Sequence, residues 1–525
     1  MNGPQNNSGS QRTYWLNNEV DQIIAQFPAG EIIVSSGISP SATYHIGHFR
    51  EVLMADGLAW GIRQRGRQAR HLHFVDNFDP LRKRYDFLPV EYEQYIGWPI
   101  CLIPAPDGSK KSYATYFSEE FQKEAAKMGV DMEVIYSYED QYLNGKMVPM
   151  IEQAVAHGKE IRKIFDQVAN RQLSDDWMPI QILSDAKSFN QWRYKAIDTK
   201  TKTMTYVDEA GNEGEVSYAD GRVKLNWRLD WPARWALWGV QVEPYGKEHA
   251  TKGGSYDTGA EFVKQVFNAQ PPYPLAYDTI NLVGDNKKMS SSLGNLITPA
   301  EALEIMPPEI IRYLIYRNLP KRVVYFDSGL GLYNLIDEFS KAEEAVLNGQ
   351  DHEFGEAYKV SAAINSHRTI TSIPFNHLVG VYQAAQGDQQ TIIDILNRTG
   401  YQAVVSKQKD VLSREIPYVA NWLHKYAPES VKFSVQQKLP KLELSPEQTK
   451  FAAILADKLQ AINQLDGQIM HQTIYGAKEQ AGIQPGQAFK AIYQLLLNKQ
   501  SGPKAGWFLS SLDKDWLIKR LRLQA

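Results

Sequence analysis

Two short stretches carry side chains suited to phosphate chemistry. In Pro40-Ser41-Ala42-Thr43-Tyr44-His45-Ile46-Gly47-His48, two histidines flank a glycine where a loop enters an apolar-periodic segment. A helix starting near Ile46 aims its first backbone N–H groups and its positive end at that loop. Gly47 removes the side chain that would block a nucleotide there. Well downstream, Lys287-Lys288-Met289-Ser290-Ser291-Ser292-Leu293-Gly294-Asn295 joins two ammonium groups to hydroxyls and a glycine. Such a loop can donate to phosphate oxygens, although taken alone it also reads as a solvated polar turn. The single cysteine, Cys101, excludes intramolecular disulfides and any multi-cysteine zinc site, and it reads as a bystander thiol.

The surrounding pattern supplies elements to position these groups. Ile32-Ile33-Val34 followed by Ser35-Ser36-Gly37 reads as a buried strand running into a loop. Phe49, Val52, Leu53, Met54, Leu58 and Trp60 then recur at helical spacing, and His71-Leu72-His73-Phe74-Val75 is a second strand ending at Asp76. Strand, helix, strand begins a parallel sheet whose ligand edge lies at the strands' C-terminal ends. Pro104, Pro106 and Gly108 interrupt the pattern. One long helix is expected over 146–170, and Lys200–Arg222 alternates like a hairpin. The sheet is expected to resume with the aromatic-rich WRLDWPARWALWG at 227–239, then with Ala276-Tyr277-Asp278 and Ile280-Asn281-Leu282-Val283-Gly284. From about 299 the periodicity is helical, and Thr298-Pro299-Ala300-Glu301 and Ser445-Pro446-Glu447-Gln448 are helix-start devices.

These readings predict an α/β chain: a Rossmann-type parallel-sheet catalytic domain split by an insertion, followed by an all-α C-terminal domain. The expected boundaries are 1–98 for the first catalytic half, 99–225 for the insertion, 226–315 for the second half and 316–525 for the helical domain. At 525 residues one core is not enough, and 43% hydrophobic with 22% charged residues is ordinary for a globular protein. A net charge of −3 argues against a DNA-coating protein but allows local basic patches. Two such patches are Arg63, Arg65, Arg67 and Arg70, and Arg82-Lys83-Arg84; each reads equally as an RNA phosphate contact or as a solvated face. No apolar run reaches the ~20 residues that span a bilayer. The polar start, MNGPQNNSGSQR, lacks a signal-peptide core, so no membrane partner and a cytoplasmic location are expected.

His45-Ile46-Gly47-His48 and Lys288-Met289-Ser290-Ser291-Ser292 resemble the two signatures of class I aminoacyl-tRNA synthetases. The flanking text SGISPSATYHIGHFREV (36–52), VDNFDPLRK (75–83), WRLDWPARW (227–235), GKEHATKGGSYDTG (246–259) and GPKAGWFL (502–509) resembles the class I lysyl-tRNA synthetases. The resemblance runs from about residue 15 to the C-terminus. It implies a monomer that uses ATP and Mg²⁺ to activate L-lysine and transfers it to the 2′-hydroxyl at the end of tRNA(Lys). It also makes residues 316–525 an anticodon-binding region and the insertion an acceptor-binding one. Many members carry zinc-binding cysteine pairs in the insertion; this chain has none, so no zinc is expected. The fourth position of the second signature, usually lysine, is Ser291, which leaves open whether Lys287 or Lys288 grips the phosphates. Two adjacent aspartates are common where this chain has Asp76-Asn77.

By the same resemblance, His45 and His48 serve the triphosphate and the α-phosphate transition state, and Lys288 or Lys287 neutralises the leaving pyrophosphate. ATP is held by His45, Gly47, His48, Lys288, Met289, Ser290 and Ser291. In the lysine pocket, Gly37 and Ser39 line the amino-acid end and Asp76 takes the α-ammonium. Trp227, His249 and Tyr277 enclose the stem and Asp230 meets the ε-ammonium; Trp227 and Tyr277 read equally as core aromatics. A glutamate-specific relative needs arginine where Ser35 and Tyr245 stand, which disfavours a glutamate enzyme. The rival readings are a synthetase for another amino acid, a small-molecule nucleotidyltransferase, and a synthetase-like RNA-binding protein without ligase activity.

Overall fold

A computed structural model describes residues 14–185, 187–189, 193–208, 211–283, 296–365, 367–441, 443–462 and 466–524. The chain forms two compact units. One comprises 1–302 with 311–326 and 359–364; the other comprises 303–310, 327–358 and 365–525.

The first unit is built on a five-stranded parallel sheet. Its strands are β1 (Ile32–Ile38), β2 (Ala69–Val75), β3 (Glu133–Tyr136), β4 (Val242–Gly246) and β5 (Tyr273–Tyr277), in spatial order β5-β4-β1-β2-β3. The Ile32-Ile33-Val34 run is buried, as a strand covered on both faces requires. The helices that matter for the site are α1 (Trp15–Gln26), α2 (Ile46–Gln64), α3 (Tyr113–Lys127), α4 (Trp227–Trp238) and α5 (Ser255–Gln265). Because the chain leaves β1 toward β2 on one side and reaches β4 on the other, the order reverses beside β1. That switch point opens a crevice at the strands' C-terminal ends.

Helix α2 is buried along most of its length. Gly61 allows α1 to close on it, since a Cβ there would stand 2.7 Å from Val20. The buried Arg50 donates to the carbonyls of Thr279 at 3.1 Å, Leu319 at 3.3 Å and Pro320 at 2.7 Å, tying α2 to the chain beyond β5. Each of these carbonyls also accepts from a backbone N–H, so Arg50 fills its second acceptor site.

Several local expectations change. Strand β3 lies within 99–225, so the first part of the sheet runs on to residue 136. The long helix over 146–170 is two helices, Val148–Ala156 and Gly158–Ala169, broken where His157 leaves helical geometry (φ −100°, ψ 24°). The hairpin gains a third antiparallel strand, Arg193–Asp198, beside Thr203–Val207 and Glu213–Ser217. A register shift between Tyr194 and Ala196 breaks the alternation that would have announced it.

The largest correction is WRLDWPARWALWG, expected to resume the sheet but forming α4. The Asn226 side chain accepts from Arg228 N–H, and Gly239 ends the helix in the left-handed region (φ 63°). Leu229 and Ala233 share the buried face, while Trp231–Trp235 and Asp230–Arg234 pair one turn apart. The aromatic density masked this four-residue spacing.

The two helix-start devices form as read. Thr298 Oγ1 accepts from Glu301 N–H at 3.2 Å and Glu301 Oε2 accepts from Thr298 N–H at 2.8 Å. The Ser445–Gln448 pair closes the same box, and its helix packs Phe451, Leu455 and Leu459 into the core of the second unit. Among the described residues no helix is long and apolar enough to cross a membrane.

Candidate active site

A cavity of about 530 Å³ occupies the crevice of the first unit. Gly37, Ser39, His45, Gly47, His48, Asp76, Trp227, Asp230, His249 and Tyr277 all line it. Sequence reasoning therefore named residues spread over 241 positions that the fold gathers around one space, from Gly37 to Tyr277 in the inclusive count. Lys287, Lys288, Met289, Ser290 and Ser291 lie outside the described residues. The chain on either side of them is fixed to the same wall: Thr279 and Ile280 line the cavity, and Ile297 O accepts from Ile46 N–H at 3.0 Å.

The histidine turn is locked by its own backbone. Gly47 N–H donates to His45 Nδ1 at 3.1 Å, and His45 N–H donates to His48 Nδ1 at 3.0 Å. The rings stand 4.0 Å apart. A ring nitrogen that accepts carries no proton, so neutral His45 holds its proton on Nε2. His48 does so in the tautomer in which its Nδ1 accepts from His45 N–H rather than donating to His45 O at 3.2 Å. The pair thus caps α2 while presenting N–H donors beside a positive helix end.

Carboxylates dominate the rest of the cavity. Arg234 Nη1 bonds Asp76 Oδ1 at 2.6 Å and Arg234 Nη2 bonds Asp230 Oδ2 at 3.0 Å. Burial works against the Arg234 charge, but Asp76 and Asp230 keep it protonated. Tyr142 donates to Asp230 Oδ1, so both oxygens of Asp230 are engaged by the protein itself. Asp76 Oδ1 also accepts from Ser137 Oγ at 3.1 Å. Lys224 pairs with Asp79; burial acts to raise that carboxyl, and the lysine overcomes it and holds it low. Lys247 pairs with Asp278 at 2.7 Å. Glu51 accepts from Gly37 N–H at 3.1 Å, and burial pushes its carboxyl well above the usual range.

Aromatic rings form one wall. Trp227 is 41% exposed and edges His249 at 6.0 Å, which places it at the cavity rather than in the core. Trp231, to which the sequence reading gave no role, lies 5.4 Å from His249 and 5.9 Å from Tyr245. Arg234, Glu243 and Glu51 were missed as well. Arg234 and Glu51 sit inside the quoted WRLDWPARW and SGISPSATYHIGHFREV, so the spacing Asp230–Arg234 on a helix was the available signal.

The basic stretches are partly spent. Arg63 pairs with Asp131, Arg65 with Asp21, and Arg70 with Glu31 and Glu133; Arg67 donates to the carbonyls of Phe27 and Gly30. Arg84 pairs with Glu93, whereas Arg82 lines the cavity. Cys101 is partly buried, and burial raises its thiol. Among the described residues no group of three or more His, Cys, Asp or Glu could hold a metal ion. The acids at the cavity suit at most one or two contacts to Mg²⁺, an ion that is typically held largely by phosphate oxygens and water.

Residues 13–366 match the family model of class I (K) tRNA synthetases. Lysine–tRNA ligase 1 of Methanosarcina acetivorans is 36% identical over 94% of this chain and 95% of its own. The lysine–tRNA ligase of Archaeoglobus fulgidus is 36% identical over 93% and 96%, and that of Pyrococcus horikoshii 32% over 97% and 99%. With its paired histidines and acid-lined crevice at the sheet's switch point, this chain belongs to the class I (K) tRNA synthetases.

Proposed function

We propose that the first unit's cavity activates L-lysine with ATP and that the enzyme passes the lysyl group to tRNA(Lys). The observation that carries this is the convergence of the histidine turn, Asp76 and the aromatic wall on one cavity. Family membership and relatives that are lysine–tRNA ligases support it. A carboxylate oxygen of lysine attacks the α-phosphorus of ATP, and the bond to the β-phosphate bridging oxygen breaks as pyrophosphate leaves with both electrons. Negative charge grows on the phosphoryl oxygens, so positioning and N–H donors suffice without a covalent nucleophile. His45 and His48 supply Nε2–H donors there, and one of Lys287 and Lys288 meets the departing pyrophosphate. Mg²⁺ bound to the triphosphate offsets its charge. Asp76, whose second oxygen has no partner among the described residues, takes the α-ammonium. Trp227, His249 and Tyr277 flank the stem.

The second unit takes the tRNA anticodon in this reading. Its cavity of about 370 Å³ is lined by Tyr333, His377, Tyr401, Lys504 and Trp507, among others. His377 stacks on Tyr401 at 4.9 Å and meets the Trp507 ring at 5.3 Å. Its Nε2 is buried without a hydrogen-bond partner among the described residues, and burial lowers its pKa to about 4. The exposed Trp507 ring, backed by the neutral His377 imidazole and Tyr401, suits an unstacked base whose face stacks on it. Part of the GPKAGWFL stretch, Pro503, Lys504, Trp507 and Phe508, lines this cavity.

Lysine-dependent ATP–pyrophosphate exchange, measured with tRNA present, tests the activity. Exchange with lysine and none with glutamate is expected; the reverse refutes the reading.

A further inference from the structure

We infer that Glu243 is the side chain that recognises the ε-ammonium of the amino-acid substrate. The inference rests on the lysine reading above and assigns its deepest contact.

Strand register sets the argument. Val34 pairs with Val242 across β1 and β4, so Ser35 and Glu243 are neighbours on one face, and Ser35 donates its hydroxyl to Glu243. Side chains alternate along a strand, so Gly37 and Ser39 continue that face toward the C-terminal edge. Ile38 pairs with Val75, which puts Asp76 level with Ser39. Asp76 and Glu243 thus share the cavity face of the sheet, four residue levels along and two strands across from each other. Their backbones stand about 16 Å apart at roughly 3.3 Å per level and about 4.8 Å per strand, a gap that the two carboxylate side chains shorten by reaching into the cavity. Both line the cavity. The two ammonium groups of extended lysine are six single bonds apart, on the order of 7 Å. Adding a charge-assisted hydrogen bond of about 2.8 Å at each end gives a similar span. One substrate can therefore bridge the two levels.

Charge pairing points to the same residue. Asp230 is saturated by Arg234 and Tyr142, Asp79 by Lys224 and Asp278 by Lys247. Glu243 is 4% exposed and accepts only from uncharged donors: Ser35, and Trp231 Nε1 at 3.0 Å. Arg234, paired with Asp76 and Asp230, favours the Glu243 charge through space but makes no ion pair with it among the described residues. A buried acid without a cation is costly to ionise, and burial does raise its carboxyl. An ammonium arriving along the stem supplies the missing partner. Glu51, another cavity acid, is bonded to Gly37 N–H and so belongs to the α-ammonium end.

The test compares L-lysine with L-norleucine, which keeps the stem and lacks the ε-ammonium, in ATP–pyrophosphate exchange by the full-length enzyme with tRNA present. In Glu243→Gln the kcat/KM for lysine should fall about a hundredfold or more, mainly through KM. Norleucine should change little, so the lysine preference collapses, and Glu243→Asp should restore part of it. A folded Glu243→Gln enzyme that keeps the wild-type preference overturns the inference. Should that variant fail to fold, L-ornithine decides with wild-type enzyme. One methylene shorter, it should inhibit at least tenfold more weakly than lysine binds, and equal inhibition overturns the assignment. Wild-type enzyme that does not activate lysine would refute the lysine reading itself, a result separable from a failure of Glu243 alone.

Discussion

The two cavities differ in the one property that decides what each can hold. The first unit's is walled by Glu51, Asp76, Asp79, Asp230, Glu243, Glu248 and Asp278, with Arg234 threaded among them. Among the described residues the second unit's cavity is lined by no carboxylate; rings and apolar side chains share it with Asn376, Gln383, Ser430 and Ser511, and its basic groups are Lys504 and His377. On the proposed reading, the acids receive the ammonium groups of the amino acid and the histidine turn meets the ATP phosphates. An acid in the second cavity would repel an RNA backbone, whereas rings accept any base face. Chemistry and RNA grip are thus assigned to different side-chain classes, and mutations should separate them.

The largest effect is expected at Arg234, which holds the buried Asp230 and the half-buried Asp76. Arg234→Ala strands Asp76 and Asp230 without their counter-ion, and loss of one partner of a buried pair costs about 3–5 kcal/mol. Urea unfolding should show that loss; unchanged stability would mean the acids find another cation. Next, His48→Ala should lower the exchange rate by about 10²–10³ while leaving tRNA binding near wild type. Exchange at the wild-type rate would remove His48 from the α-phosphate. Trp507→Ala should do the opposite. Exchange stays near wild type, while the KM for tRNA rises by the stacking of one base, about 1–3 kcal/mol. A variant with unaltered tRNA KM would empty the second cavity of its proposed occupant. Smallest of all, stripping zinc with a chelator that spares magnesium should change neither activity nor stability. Stoichiometric zinc lost together with activity would contradict this.

Much of the first cavity was legible because short motifs sit at strand ends, where side-chain position follows from chain order. His45, Gly47 and His48 were readable from a loop entering a helix, and Asp76 from the end of a strand. Glu243 was not: nothing in Val242-Glu243-Pro244-Tyr245-Gly246 distinguishes a buried strand acid from a surface one until the register sets it beside Ser35. The α4 segment was misread because its aromatic content and the internal Pro232 weigh against a helix, although Trp231–Trp235 and Asp230–Arg234 share a four-residue spacing. In the second unit, caps such as Ser445 were plain, but His377, Tyr401 and Trp507 come from separate helices or helix turns. Only packing brings them together. Trp507 reaches His377 on a helix that closes against Gly467, where a Cβ would stand 2.3 Å from the indole, a constraint no periodicity announces.

The most direct measurement is charging of total tRNA by the purified enzyme with each of the twenty amino acids, ATP and Mg²⁺. An acid-lined pocket leaves a buried charge unpaired with any ligand that lacks a side-chain cation, and a planar guanidinium does not fit a site shaped for an ammonium, so discrimination should be steep. The account predicts that lysine is esterified to tRNA and that glutamate, glutamine and arginine are rejected. Preferential charging of any of those three would contradict it.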